Sequence, residues 1–205
     1  MIKSRDLAVF GGTFDPVHHG HLIVAEEART QLSLSEVLFV PAGQPWLKAR
    51  RSVSPARHRM EMLRLAISEN RHFRLSSTEV ERPGLSYTVD TIEELRRQVG
   101  NEARLFFLMG SDALAEFPQW KEPRRLMELC RLAAFARPGR SLPFMGPLES
   151  ALPGLSRNLV FLEVSQIDIS STEIRRSAAE GLSLYGLVPP AVENYILEHG
   201  LYRQH

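Results

Sequence analysis

The stretch LAVFGGTFDPVHHGHL, residues 7–22, opens with four apolar residues, closes them with Gly11 and Gly12, and then sets His18, His19 and His21 within four positions. A short apolar run ending at glycines reads as a buried parallel strand, which is hydrophobic on both faces. Beyond it Leu22, Ala25, Ala28 and Leu32 recur at helical spacing among Glu26, Glu27 and Arg29, which predicts an amphipathic helix starting near His19. Strand, glycine turn and helix together are the repeating phrase of a parallel sheet.

The phrase returns along the chain. VLFV at 37–40 is strand-like, and Met60, Leu63 and Ile67 mark a second helix after a loop rich in Pro and Arg. FRLS at 73–76 reads as a third strand, and Ile92, Leu95 and Val99 as the face of a third helix. LFFLM at 105–109 runs into Gly110 and another helix start, and RLAAFA at 131–136 is a fifth apolar stretch. Between 138 and 158 the composition turns to Pro, Gly, Ser and Leu without a clear period, so a surface loop or small excursion is expected there. LVFLEV at 159–164 resumes the sheet, and helices follow at Thr172–Ala179 and about Ala191–His199, the latter announced by Pro189 and Pro190. Such alternation predicts an α/β, doubly wound parallel sheet with helices on both faces.

At 205 residues the chain is long enough for one sizeable domain with its own core and a cleft, here read as 1–205 with a C-terminal helical portion from about 171. Twenty-five Lys and Arg against 24 Asp and Glu leave a net charge of +1, so no overall charge directs the chain to nucleic acid or to a membrane surface. A single cysteine, Cys130, excludes an internal disulfide and a multi-cysteine zinc site. The N-terminal apolar run is far short of a signal-peptide core or a membrane span, and a cytoplasmic location is expected.

Three readings of the histidines compete. A metal site would need ligands that converge, which His18, His19 and His21 at one helix mouth cannot all do, and no protein metal ligand is assigned. Capping or surface residues at a helix start are the plain alternative. Phosphate recognition is the third: a strand ending in Gly11 and Gly12 brings backbone close to a ligand, and the next helix offers its positive end. Gly20 leaves room against that helix, while His18 and His21, three apart, face the same side of its first turn. The pattern is neither the G-x-G-x-x-G of dinucleotide binders nor a P-loop.

A second helix start, DISSTEIRR at 168–176, has the S-x-x-E form of a capping box in Ser170 and Glu173. With Ser171 and Thr172 at its mouth and Arg175 one turn inside, it can also cradle an anion, since a guanidinium presents a planar fork to phosphate oxygens.

GGTFDPVHHGHL resembles the first motif of the H-x-G-H nucleotidyltransferase superfamily, with His18, Gly20 and His21 in the matching places, and the ISSTEIR string resembles its late I-S-S-T-x-I-R motif. ERPGLSYTVDT at 81–91, GSDALAEFPQW at 110–120 and PAGQPWLKARR at 41–51 are similar to segments of the bacterial nicotinate-mononucleotide adenylyltransferases, in order from Val9 to about Tyr202. The resemblance implies a Rossmann-like nucleotidyltransferase fold and adenylyl transfer from ATP to nicotinate mononucleotide. It implies that Gly11, Gly12, Thr13, Phe14, His18, His21, Gly110, Asp112, Ser171, Thr172 and Arg175 bind ATP. Tyr87 and Thr88 would hold the nicotinate carboxylate and Trp120 would stack on the pyridine ring. Lys48, in the basic loop with Arg50 and Arg51, would contact the acceptor, although Leu47 stands where many such enzymes carry histidine. His18, His21, Lys48 and Arg175 would be catalytic, with magnesium arriving on ATP rather than on protein ligands. Read without the family, Trp120 is either a stacking platform or, more often, a packing residue, Asp112 is equally a ligand contact or a helix cap, and Lys48 is more often a solvated charge than a contact.

Overall fold

A computed structural model describes residues 6–44, 53–136, 139, 142–165 and 167–203. Its centre is β1 (Leu7–Gly12), paired in parallel on one side with β2 (Glu36–Pro41), Leu7 opposite Glu36, and on the other with β4 (Leu105–Gly110), Leu7 opposite Leu105. β3 (Phe73–Leu75) lies outside β2, and β5 (Arg131–Phe135) and β6 (Leu159–Leu162) extend the sheet beyond β4. All pairings are parallel, in the order β3-β2-β1-β4-β5-β6.

The pleat sends alternate side chains to opposite faces, and each face meets its own core. Ala8, Phe10, Val37, Phe39, Phe106 and Leu108 face one layer, built from α1 (His19–Gln31), α2 (Ala56–Ile67), α9 (Ser171–Ala179) and α10 (Pro190–Glu198). Leu7, Val9, Leu105, Phe107, Met109 and Leu132 face the other. That second layer holds α3 (Thr78–Glu81), α4 (Thr88–Val99), α5 (Ser111–Glu116), α6 (Pro123–Leu129), α7 (Met145–Ala151) and α8 (Leu155–Asn158). Every residue of β4 is buried, which is why LFFLM is apolar without alternation. The expected α/β, doubly wound parallel sheet is the observed fold, and no helix among the described residues is long and apolar enough to cross a membrane.

Three expectations are corrected. The stretch at 138–158 is not simply loop, because α7 and α8 occupy its latter half; Leu148, Leu152 and Leu155 keep helical spacing, but Pro153 and Gly154, the latter at φ +93°, split it into two short pieces. α2 buries Arg59, Met62, Leu63 and Ile67, with Met60 only half-buried, so the face is rotated to admit a charged residue. The sixth strand stops at Leu162, two residues before the apolar pattern does.

The chain winds outward in opposite directions from β1 and β4. That reversal opens a crevice beyond the carboxyl ends of these two strands, the usual ligand position of an open parallel sheet.

Candidate active site

β1 delivers the turn 13–18 to the mouth of this crevice. Phe14, at φ +49°, turns its side chain into the core beneath, where its ring stands edge-on to His21 at 5.0 Å. His18, a buried residue, is the extended residue that starts α1, and its ring stacks on that of His21 at 3.7 Å with 29° between planes. The two imidazoles therefore form one stacked unit.

The His18 backbone N–H donates to His21 Nδ1 at 3.3 Å. A neutral imidazole carries its proton on one nitrogen only, so a bonded Nδ1 lone pair leaves the proton on Nε2. His21 is thereby set to donate from Nε2, the form that an anionic oxygen accepts.

The glycines also have close neighbours within the chain. A Cβ on Gly20 would lie 3.1 Å from the His18 ring, one on Gly12 3.0 Å from Phe14, and one on Gly11 3.2 Å from Phe107. These three positions make room for the aromatic and imidazole rings of the site itself. The His19 N–H at the start of α1 is also engaged, by the Leu187 carbonyl at 3.0 Å.

The second motif closes directly onto the first. Ser170 caps α9 by accepting the Glu173 N–H at 3.2 Å, and the Ser170 hydroxyl donates to the Glu173 carboxylate at 3.0 Å, a bond between the two side chains. Ser171 Oγ donates to the Pro16 carbonyl at 2.9 Å, and Arg175 Nη1 to the Asp15 carbonyl at 2.7 Å. Arg175 Nη2 reaches Thr172 Oγ1 at 3.3 Å. The two motifs, about 150 residues apart in sequence, thus share one wall, with Thr172 exposed and Arg175 half-buried.

Sequence reasoning missed the residue beneath them. Arg59 is 1% exposed, and its guanidinium donates to three carbonyls: Ser54 at 2.9 Å, Thr13 at 3.0 Å and Gly43 at 3.3 Å. Burial pulls it below the ordinary arginine value while the Asp15 carboxylate opposes that shift. Asp15 in turn accepts the Ser54 N–H at 3.0 Å and the Tyr202 hydroxyl at 2.8 Å. Burial, with Asp15 adding, holds the Tyr202 phenol well above its usual range, so it stays a donor. An arginine amid helix-forming polar residues carries no sequence sign of such a role.

The residues expected on the acceptor side lie on the other face. Tyr87 starts α4 and Thr88 is its first residue; both are half-buried. Lys121 Nζ sits 4.7 Å over the Tyr87 ring and bonds Asp90 at 2.9 Å. The neighbouring Trp120 is half-buried, edge-on to Phe107 and Phe117 at 5.8 and 5.5 Å, and its buried Nε1 has no partner among the described residues. Phe107 is the ring that also fills the space over Gly11, so Trp120 adjoins the end of β1. Gly110 is buried at the start of α5 and Asp112 is exposed in its first turn. Lys48, Leu47, Arg50 and Arg51 lie outside the described residues.

The chain matches the cytidylyltransferase-like family over residues 9–177. It is 47% identical over 197 residues to a protein of Thermomicrobium roseum named "Probable nicotinate-nucleotide adenylyltransferase", covering 96% of this chain and 91% of that one. A protein of Dehalococcoides mccartyi with the same name is 42% identical over 199 residues, covering 97% and 98%. Among solved structures, the Plasmodium falciparum nicotinic acid mononucleotide adenylyltransferase complexed with NaAD superposes with a TM-score of 0.77 at 18% identity, covering 97% of each chain, a likeness of fold. With its two helix-start motifs joined to one another at the sheet's reversal point, the chain belongs to the cytidylyltransferase-like family and, within it, to the nicotinate-nucleotide adenylyltransferases.

Proposed function

We propose that this protein transfers the adenylyl group of ATP to nicotinate mononucleotide, giving nicotinate adenine dinucleotide and pyrophosphate, a step of NAD biosynthesis. The observation that carries the reading is the shared wall of the two cradles: Arg175 on the Asp15 carbonyl and Ser171 on the Pro16 carbonyl, beside the stacked His18 and His21. Family membership supplies the choice of acceptor.

The chemistry asks little of the protein in covalent terms. The acceptor phosphate is already an anionic nucleophile that attacks the α-phosphorus of ATP; a new P–O bond forms there as the bond to pyrophosphate breaks, and pyrophosphate leaves with its electron pair. Positioning and charge neutralisation are then the main sources of rate.

In this reading Gly11, Gly12, Thr13, His18 and His21 border the triphosphate, with Phe14 supporting His21 from the core. His21 Nε2 donates to a phosphate oxygen whose charge grows in the transition state. Thr172 and Arg175, which already line the joint wall, neutralise the pyrophosphate end, and Gly110 and Asp112 border the nucleotide at the end of β4. Tyr87 and Thr88 hold the nicotinate carboxylate at the mouth of α4, Trp120 offers its ring to the pyridine, and Lys48 contacts the acceptor. Magnesium enters as part of the ATP substrate, held mainly by phosphates and waters. The lone buried Cys130 fits a reducing, cytoplasmic setting.

Mass analysis of a mixture of protein, Mg·ATP and nicotinate mononucleotide tests this. A product equal to the two nucleotides joined less pyrophosphate is expected; ATP breakdown without that dinucleotide overturns the reading.

A further inference from the structure

The joint between the two motifs is braced by a residue that takes no part in the reaction. Tyr202, beyond the end of α10, donates its hydroxyl to Asp15 Oδ1 at 2.8 Å, and the Asp15 carbonyl accepts Arg175 Nη1 at 2.7 Å. We propose that Tyr202 is a positioning residue for Arg175, acting through Asp15. This rests on the reading above that Arg175 neutralises the pyrophosphate end of ATP.

The path to Asp15 begins where α10 stops. Gly200, at φ +57°, leads the chain out of the helix, with its N–H on the Leu197 carbonyl at 3.2 Å and the Leu201 N–H bonded back to the Ile196 carbonyl at 3.0 Å. That pair of bonds is a common glycine stop. Tyr202 follows at φ +69°, a left-handed backbone that is costly for a bulky residue. Such a conformation persists where the surroundings over-determine it. Here the phenol supplies the contacts, its ring packed against the core layer of α2 and α10 and its hydroxyl on Asp15.

Counting protons fixes the direction of the bond. A phenol has one to give. The Asp15 carboxylate at 2.8 Å takes it in preference to the Met62 sulfur at 3.9 Å, since a thioether is the weaker acceptor. Asp15 Oδ2 accepts the Ser54 N–H at 3.0 Å. Asp15 is buried, and each of its carboxylate oxygens is held by a donor from a distant part of the chain. The side chain cannot turn without losing one of the two.

The hold passes to α9 through the backbone of the same turn. The Asp15 carbonyl sets one Nη of Arg175, and the next carbonyl, that of Pro16, accepts Ser171 Oγ at 2.9 Å. With phenylalanine at 202 the ring and its packing stay, but Oδ1 loses this donor. The carboxylate is then free to swing about the Ser54 bond, and the carbonyl that aims Arg175 loses its brace.

The test is steady-state kinetics of adenylyl transfer on Tyr202→Phe, Arg175→Ala and the double variant, with Mg·ATP and nicotinate mononucleotide varied separately. Tyr202→Phe is expected to lower kcat about tenfold, the cost of one positioned hydrogen bond to a charged group, with KM for nicotinate mononucleotide within about threefold. In the Arg175→Ala background the same change is expected to lower kcat by less than about twofold, because the guanidinium through which Tyr202 acts is gone. A general loosening of the fold would lower kcat by the same factor in both backgrounds, and that result overturns the inference. A Tyr202→Phe protein that does not fold overturns it too, by giving the contact a structural role alone. Absence of adenylyl transfer to nicotinate mononucleotide in the unaltered protein removes the functional reading and this inference with it; transfer there with an unchanged kcat in Tyr202→Phe removes the inference alone.

Discussion

Arg59 Nη1 lies 3.0 Å from the carbonyl oxygen of Thr13, so a charged side chain from α2 holds the turn behind β1 from inside the protein. The same guanidinium holds the Gly43 and Ser54 carbonyls, which lie on either side of the loop between β2 and α2. Replacing it with an apolar chain leaves three carbonyls without this donor and the Asp15 carboxylate without its buried countercharge. Arg59→Met should cost about 3–5 kcal/mol in urea unfolding, the range for breaking a buried charged network, and Arg59→Lys should recover only part of that because an ammonium lacks the fork. A loss under about 1 kcal/mol for Arg59→Met, the level of a surface pair, would contradict this role.

His21 is held with Nδ1 bonded to the His18 N–H and its ring stacked on His18. If its Nε2–H meets charge that develops on phosphate, His21→Ala should lower kcat by about 10² to 10³, the usual cost of one transition-state donor. Circular dichroism and the unfolding midpoint should stay close to those of the unaltered protein. Unchanged turnover in a folded His21→Ala protein would remove the donor role.

His58 joins α2 to α10 through Nδ1 and the Tyr195 hydroxyl, 2.9 Å apart, with His199 stacked on Tyr195 at 4.0 Å. Burial, reinforced by Arg57 and His199, holds the His58 imidazole below its ordinary 6.5. A group whose folded value is depressed contributes stability that is present above the unfolded value and lost as pH falls through the folded one. The urea midpoint should therefore decline as pH drops below about 6.5, and His58→Gln should flatten that part of the profile. An identical pH slope in His58→Gln would show that other groups set it.

Cys130 is buried, its Sγ donating to the Leu126 carbonyl at 3.5 Å, and burial pushes its thiol up to about 12. At pH 8 the thiolate fraction is then about one part in ten thousand, too small for ready alkylation. Iodoacetamide should leave the folded protein unlabelled over hours and label it once in denaturant. Rapid labelling of the folded protein would show that the α6 to β5 junction opens.

What the sequence revealed and concealed follows from the range of each interaction. β1 and β4 are legible because full burial on both faces forces continuous apolar runs, as LAVF and LFFLM show. The Ser170 and Glu173 cap is legible because its partners are three residues apart. Arg59 is hidden because its partners sit on loops that only the folded sheet assembles, and Asp15 with Tyr202 because 187 residues separate them. Gly11, Gly12 and Gly20 are legible as positions of close approach, while the rings packed against them, Phe107, Phe14 and His18, are seen only in the fold. α7 and α8 are hidden because Pro153 and Gly154 divide the stretch into two helices of seven and four residues, each too short to show a period of its own.

The most direct measurement is pyrophosphate release with Mg·ATP, run in parallel on nicotinate mononucleotide, nicotinamide mononucleotide and phosphopantetheine. The account predicts the highest kcat/KM with nicotinate mononucleotide. Dominance of phosphopantetheine, or no release with any acceptor while ATP still binds, would contradict it.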